Sequence, residues 1–154
     1  MTVGNRLYNS AYTGDNLQRI AFPMGGIGAG MICLEGAGAL SHVSLRHRPQ
    51  IFNEPMVFSA VHVRQGDRAI ARVLEGPVPE WKIYFPWPDH DGAGCGAPGK
   101  TYGLPRFAEA SFEARFPFGT VHLQDQKLPL DVRLTGWSPF IPANADDSSL
   151  PVAA

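Results

Sequence analysis

Ala108-Glu109-Ala110-Ser111-Phe112-Glu113-Ala114-Arg115-Phe116 alternates apolar and polar side chains without a break. Successive side chains of a β-strand point to opposite faces, so this stretch places Ala108, Ala110, Phe112, Ala114 and Phe116 on one face. Glu109, Ser111, Glu113 and Arg115 fall on the other. A helix would scatter both sets around its circumference, because its period is 3.6 residues. Pro117-Phe118-Gly119 reads as a turn into a second strand at Thr120–Leu123, and Leu130, Val132 and Leu134 repeat the alternation against Asp131, Arg133 and Thr135. The result is a meander of antiparallel strands, each apolar on one side.

The preceding sequence carries the same signature more weakly. Met31-Ile32-Cys33-Leu34 is too short for a helix and is bounded by glycine, as a buried strand would be. Glu35-Gly36-Ala37-Gly38 then turns the chain back into Leu40–Arg46. Residues 57–64 and 68–74 form a hairpin around Gln65-Gly66-Asp67, with apolar residues on both faces of its first strand, as in the middle of a sandwich. Trp81-Lys82-Ile83-Tyr84-Phe85 reads as a further short strand with Trp81 in phase with the core, and residues 86–105 as a long Gly/Pro-rich excursion. No helical stripe of useful length occurs. The fold class is all-β: a partial antiparallel β-sandwich with long Gly/Pro-rich loops. Its boundaries are an irregular N-terminal segment at 1–18 and the first part of the sandwich at 19–154. Ser149–Ala154 resembles the opening of another strand, so the chain reads as truncated.

Composition agrees. The 17 glycines and 14 prolines among 154 residues exceed the globular norm of roughly 12% without reaching the roughly 25–30% typical of disorder. A net charge of −1 supplies no attraction for nucleic acid or an anionic membrane. The densest basic cluster is Arg46-His47-Arg48, at the end of a strand. Two cysteines, Cys33 and Cys95, form neither a disulfide framework nor a CxxC pair, and Cys33 lies in an apolar run as a buried small hydrophobe. No secretory leader is visible at Met1–Arg6, and no apolar run is long enough for a transmembrane helix. The expected location is cytoplasmic.

Catalytic chemistry is hard to place. The Gly25-Gly26-Ile27-Gly28-Ala29-Gly30 loop is followed by a strand rather than the helix a dinucleotide site needs, so tight backbone packing explains it better. His42, His47, His62, His90 and His122 are scattered, with no metal-ligand spacing, and Ser41, Ser44 and Ser59 lack a nucleophile elbow. No metal and no cofactor is expected. Glycoside hydrolysis needs two converging carboxylates. Glu35, Glu54, Glu75, Glu80, Asp89, Asp91, Asp146 and Asp147 are available, but nothing in their spacing brings any two together. Of Trp81, Trp87 and Trp137, only Trp87, between Pro86 and Pro88, reads as an exposed ring able to stack on a sugar, and it is the candidate for substrate binding.

Several segments together resemble a known family. Phe22-Pro23-Met24-Gly25-Gly26-Ile27-Gly28-Ala29-Gly30 is followed in order by Arg72-Val73-Leu74-Glu75, Gly103-Leu104-Pro105-Arg106-Phe107 and Phe112–Phe118. Ser138-Pro139-Phe140-Ile141-Pro142 and Ser148-Ser149-Leu150-Pro151-Val152-Ala153 complete the set. This series resembles the N-terminal domain of glycoside hydrolase family 116, which includes the non-lysosomal glucosylceramidases, or bile-acid β-glucosidases. The resemblance implies a β-sandwich that packs on a C-terminal (α/α)6 barrel, absent from this chain, and retaining hydrolysis of β-glucosides by two carboxylates of that barrel. It therefore assigns no catalytic residue here. The implied role is an accessory domain partnered by the barrel and, through it, by a β-glucoside. The alternatives are a stand-alone carbohydrate-binding module and a purely structural one.

Overall fold

The computed structural model describes residues 7–46, 48–50, 53–84 and 101–153. His47, Trp87, Asp89, His90, Asp91, Cys95 and most of the 86–105 excursion lie outside the described residues. The chain forms β1 (Tyr12–Thr13), a 3-10 turn (Gly14–Leu17), β2 (Ala21–Met24), β3 (Gly30–Glu35), β4 (Leu40–Leu45), β5 (Ala60–Gln65) and β6 (Arg68–Val73). A one-turn helix α1 (Glu80–Tyr84) precedes β7 (Glu109–Arg115), β8 (Phe118–Gln124) and β9 (Val132–Trp137), and a second, α2 (Ala145–Ser148), follows. All strand pairs between these elements are antiparallel, in sheets ordered β1-β7-β8-β9, β2-β3-β4 and β5-β6. The all-β expectation holds.

The alternation in β7 has the predicted consequence. Phe112 points inward, opposite Val121 of β8, which in turn faces Leu134 of β9. Phe112 and Val121 are fully buried. The next row along the strands is Ala110, Leu123 and Val132; the row on the other side is Ala114, Gly119 and Gly136. Gly119 is thus a strand residue and not part of the expected turn, which consists of Phe116 and Pro117 alone. The reason lies in the opposing sheet. A Cβ on Gly119 would meet the rings of Phe22 and Phe112 at 2.8 and 2.9 Å, and one on Gly136 would meet Met24 Sδ at 2.3 Å. These two glycines leave a depression into which Phe22 and Met24 of β2 press, joining the sheets around one core.

The β5–β6 ribbon differs from its expected place. Val61, Val63 and Ile70 pack against the core, but Ala60, His62 and Arg64 on the other face are exposed. Val57 and Phe58 precede the strand and flank an open groove of about 440 Å³ walled by Leu34, Leu74 and Leu134. Within β5 only one face is apolar, so it cannot be a central strand covered on both sides. An ion pair of 2.8 Å from Arg72 to Asp125 ties the ribbon to the β8–β9 connection. The Lys127 N–H and the Arg72 guanidinium hold the Asp125 carboxyl below the usual carboxylate range.

Three local readings are corrected. Trp81–Tyr84 is helical: Pro79 and Glu80 provide a helix start, with the Lys82 N–H donating to Pro79 O at 3.0 Å. Trp81 is half-buried rather than core, its indole N–H bonded to Gln18 O at 3.1 Å. The segment before residue 18 is not wholly irregular, since Tyr12 pairs with Phe112 and their rings meet edge-on at 6.4 Å. Residues 149–153 form no strand; they follow α2, whose N-terminus is capped by Asn144 through a side chain that accepts from Asp147 N. Cys33 is buried as expected, and burial, aided by the Glu35 charge, pushes its thiol up to about 11. No helix among the described residues is long and apolar enough to cross a membrane.

The glycine pair generates a ranking. Gly119→Ala must displace rigid rings, whereas Gly136→Ala meets the flexible end of Met24. Both should destabilise, by about 1–3 kcal/mol, with Gly119→Ala the worse, and Met24→Ala should recover part of the Gly136→Ala loss. Urea unfolding of the four variants checks the order.

Candidate functional site

The strongest concentration of ionisable groups lies on the side of β3 away from the sandwich core. Glu35 ends β3, Glu54 follows β4, and Glu75 follows β6. The one-turn helix α1 aims Lys82 between the first two: its Nζ donates to Glu35 Oε1 and Oε2 at 2.6 and 2.7 Å and to Glu54 Oε1. Tyr102 donates its hydroxyl to the other Glu54 oxygen. Arg106 donates from Nε and Nη2 to Glu75 Oε2 at 3.2 and 3.0 Å, and from Nη1 to the carbonyls of Thr101, Tyr102 and Leu104. The Lys82 side chain is only 5% exposed and that of Arg106 only 7%. Burial, then the hydrogen bond to Glu54 and the charges of Glu54 and Glu35, raise the Tyr102 phenol well above the usual tyrosine value, so it remains a donor.

Three carboxylates that the sequence left scattered therefore converge. Their chemistry is not that of a glycosidase pair. Glu35 and Glu54 share one ammonium, and Glu75 is held by a guanidinium. The cavity that they line, with Val57, Pro77 and Thr101, holds about 30 Å³. A water needs roughly 10–15 Å³ of such space, so about two or three waters fit and a sugar ring does not. The arrangement clamps three connections, after β4, after β6 and before β7, against the sheet. Lys82, Tyr102 and Arg106 escaped the sequence reading. Lys82 did so because its segment reads as a strand, although Pro79-Glu80 is a helix-start signal.

The other candidates do not join this cluster. Trp87, Asp89 and Asp91 lie outside the described residues. Glu80 is exposed at the start of α1, and Asp146 and Asp147 sit in the first turn of α2. Among the described residues, no three His, Cys, Asp or Glu side chains are grouped as a metal site requires.

The segments that carry the family resemblance do meet, and in pairs. Val73 N–H donates to Pro105 O at 2.9 Å, Phe107 N–H donates to Glu75 O at 3.0 Å, and the Arg106–Glu75 ion pair lies beside them. The glycine loop receives the C-terminal segment in the same way: Ile27 N–H donates to Ser148 O at 2.8 Å, and a Cβ on Gly26 would lie 2.1 Å from Leu150 O. The buried Ser148 hydroxyl donates to Ile141 O at 3.0 Å and accepts from Ile141 N–H, while Ser138 Oγ donates to Pro23 O at 2.8 Å. Close backbone packing is thus what the glycine loop does.

The profile of the family described as beta-glucosidase 2, glycosyl-hydrolase family 116 N-term matches residues 21–154. An N-terminal β-domain of glycosyl hydrolases is the class that the fold and these paired motifs define. The chain belongs to the glycosyl-hydrolase family 116 N-terminal domain family. No curated protein matches it.

The buried clamp has two measurable consequences. Lys82→Met strands two carboxylates and should cost about 3–5 kcal/mol, and Tyr102→Phe, which leaves Glu54 its ammonium, about 1–2 kcal/mol. Because the folded-state pKa of Tyr102 is raised, its contribution is complete below the unfolded value of about 10 and declines as the pH rises above it. Urea unfolding between pH 7 and 11 should show a shallower alkaline decline in Tyr102→Phe than in the wild type.

Proposed function

We propose that this chain is the non-catalytic accessory part of a retaining β-glucosidase, acting beside an (α/α)6 catalytic barrel carried by the same protein. The observation that carries the reading is the family match across 21–154, which is to an N-terminal domain. Two features support it. Each of the three clustered carboxylates has a cationic partner, which is the condition of a structural group rather than of an acid/base pair. The family segments contact one another, so they stabilise the domain and leave bond cleavage to the barrel. Glucosylceramide-type substrates and a cytoplasmic location belong to the same proposal, as does a contribution of the 86–105 loop to the rim of the catalytic cleft.

The test compares the parent enzyme with a version lacking residues 1–154 and with the chain alone, using 4-nitrophenyl β-glucoside. The chain alone should release no nitrophenol above buffer, and the shortened parent should lose most of its soluble, active protein. Hydrolysis by the purified chain that disappears in Glu35→Gln or Glu54→Gln would overturn the reading, and so would full activity of the shortened parent.

A further inference from the structure

The outer face of the β1-β7-β8-β9 sheet, turned away from the core, carries an aromatic row. Phe118 and Trp137 are direct cross-strand partners on β8 and β9, 48% and 38% exposed. They must point outward, because their neighbours Gly119 and Gly136 face the core. Cross-strand partners stand about 5 Å apart at Cβ, so the two rings occupy adjacent ground on a flat surface. Past the end of the strands the exposed rings of Phe116 and Phe140 meet edge-on, with centroids 5.2 Å apart. The next outward pair along the strands is Thr120 and Thr135, whose hydroxyls lie 3.3 Å apart, followed by His122 and Arg133.

We propose that this face is a sugar-binding platform: Trp137 and Phe118 stack against the apolar face of a β-linked glucose residue, and Thr135, with Arg133, hydrogen-bonds its hydroxyls. Three features select this ligand chemistry. In β-glucopyranose every hydroxyl is equatorial, so both ring faces present C–H groups that suit a flat aromatic surface. The rings border a strip of hydroxyl, imidazole and guanidinium groups, which matches a ligand that is apolar in the middle and hydrogen-bonding at its rim. The outward charges of the strands balance, with Glu109 and Glu113 against Arg115 and Arg133, which favours an uncharged polyhydroxy ligand over a polyanion. An extended β-linked oligosaccharide can continue from the Trp137 row toward the Thr135 and Arg133 rows.

Cellohexaose is the probe, titrated into the intact chain and followed by calorimetry and by the indole N–H resonance of Trp137. Saturable binding with Kd of about 1 mM or tighter, at least tenfold weaker in Trp137→Ala and in Phe118→Ser, is expected. Thr135→Val keeps the shape of the strand and should weaken binding without removing it. It also keeps the test decisive if an aromatic variant fails to fold, which the urea midpoint reports. No saturation by the wild type, or equal affinity in folded Trp137→Ala and Thr135→Val, overturns the proposal. So does sedimentation showing a dimer that Trp137→Ala abolishes, because a second copy would then cover the face. The experiment involves neither hydrolysis nor the barrel, so its failure leaves the accessory role standing.

Discussion

Two absent side chains govern how close the two layers of this domain come. Gly119 and Gly136 are cross-strand partners on β8 and β9, and their inward sides are filled by Phe22 and Met24 of the opposing sheet. Close-packed interiors tolerate neither voids nor extra methyl groups, so this interlock sets the separation at which the rest of the core is assembled. Leu34, which pairs with Phe22, is brought against Gly136 by the same approach, and Phe112 closes the row from β7. The β5–β6 ribbon and the polar clamp under β3 are later layers on this frame.

The polar clamp follows a different logic from the core. Apart from Glu35 at the end of β3 and Lys82 on α1, its members come from the connections, and each carboxylate has a cationic partner where it is buried, Glu35 and Glu54 sharing Lys82. Breaking such a group is costly because it strands a charge, while making it contributes less, since both partners lose their water. It therefore adds definition more than raw stability: it tells the connections after β4 and β6 where to lie. The paired family segments do the same for the glycine loop and the Ser138–Leu150 segment. Taken together, the recurrent motifs of this chain are contacts between distant parts of one domain, which is why they read as a set while none alone suggests chemistry.

The fold was legible wherever one face of a strand is buried and the other wet. Ala110, Phe112 and Ala114 against Glu109, Glu113 and Arg115 sufficed for β7, and Leu130–Leu134 nearly sufficed for β9. Gly119 reads as a turn residue in the sequence because it follows Pro117 by two positions; its true role depends on Phe22, almost a hundred residues earlier. The helix at Glu80–Tyr84 was hidden because a single turn cannot display a 3.6-residue period, so only Pro79-Glu80 marked it. The candidate site was less legible still. Convergence of Glu35, Glu54 and Glu75 on Lys82 and Arg106 is a property of topology, and spacing along the chain carries no trace of it. Trp137 was visible as a residue but not as a surface, since its exposure follows from the inward turn of Gly136 next to it.

The bond from Ser138 to Pro23 spans 115 positions, and Gly26 and Ile27 of the glycine loop are covered by residues 148–150. Contacts of such separation make folding slow, because the intervening chain must be ordered before they form. During synthesis at ~5–20 residues per second, β2 and the glycine loop emerge roughly 6–23 s before the segment that covers them. For that interval Phe22, Met24 and Leu34 have no opposing sheet. The order of translation thus leaves the earliest apolar strands waiting for the latest ones.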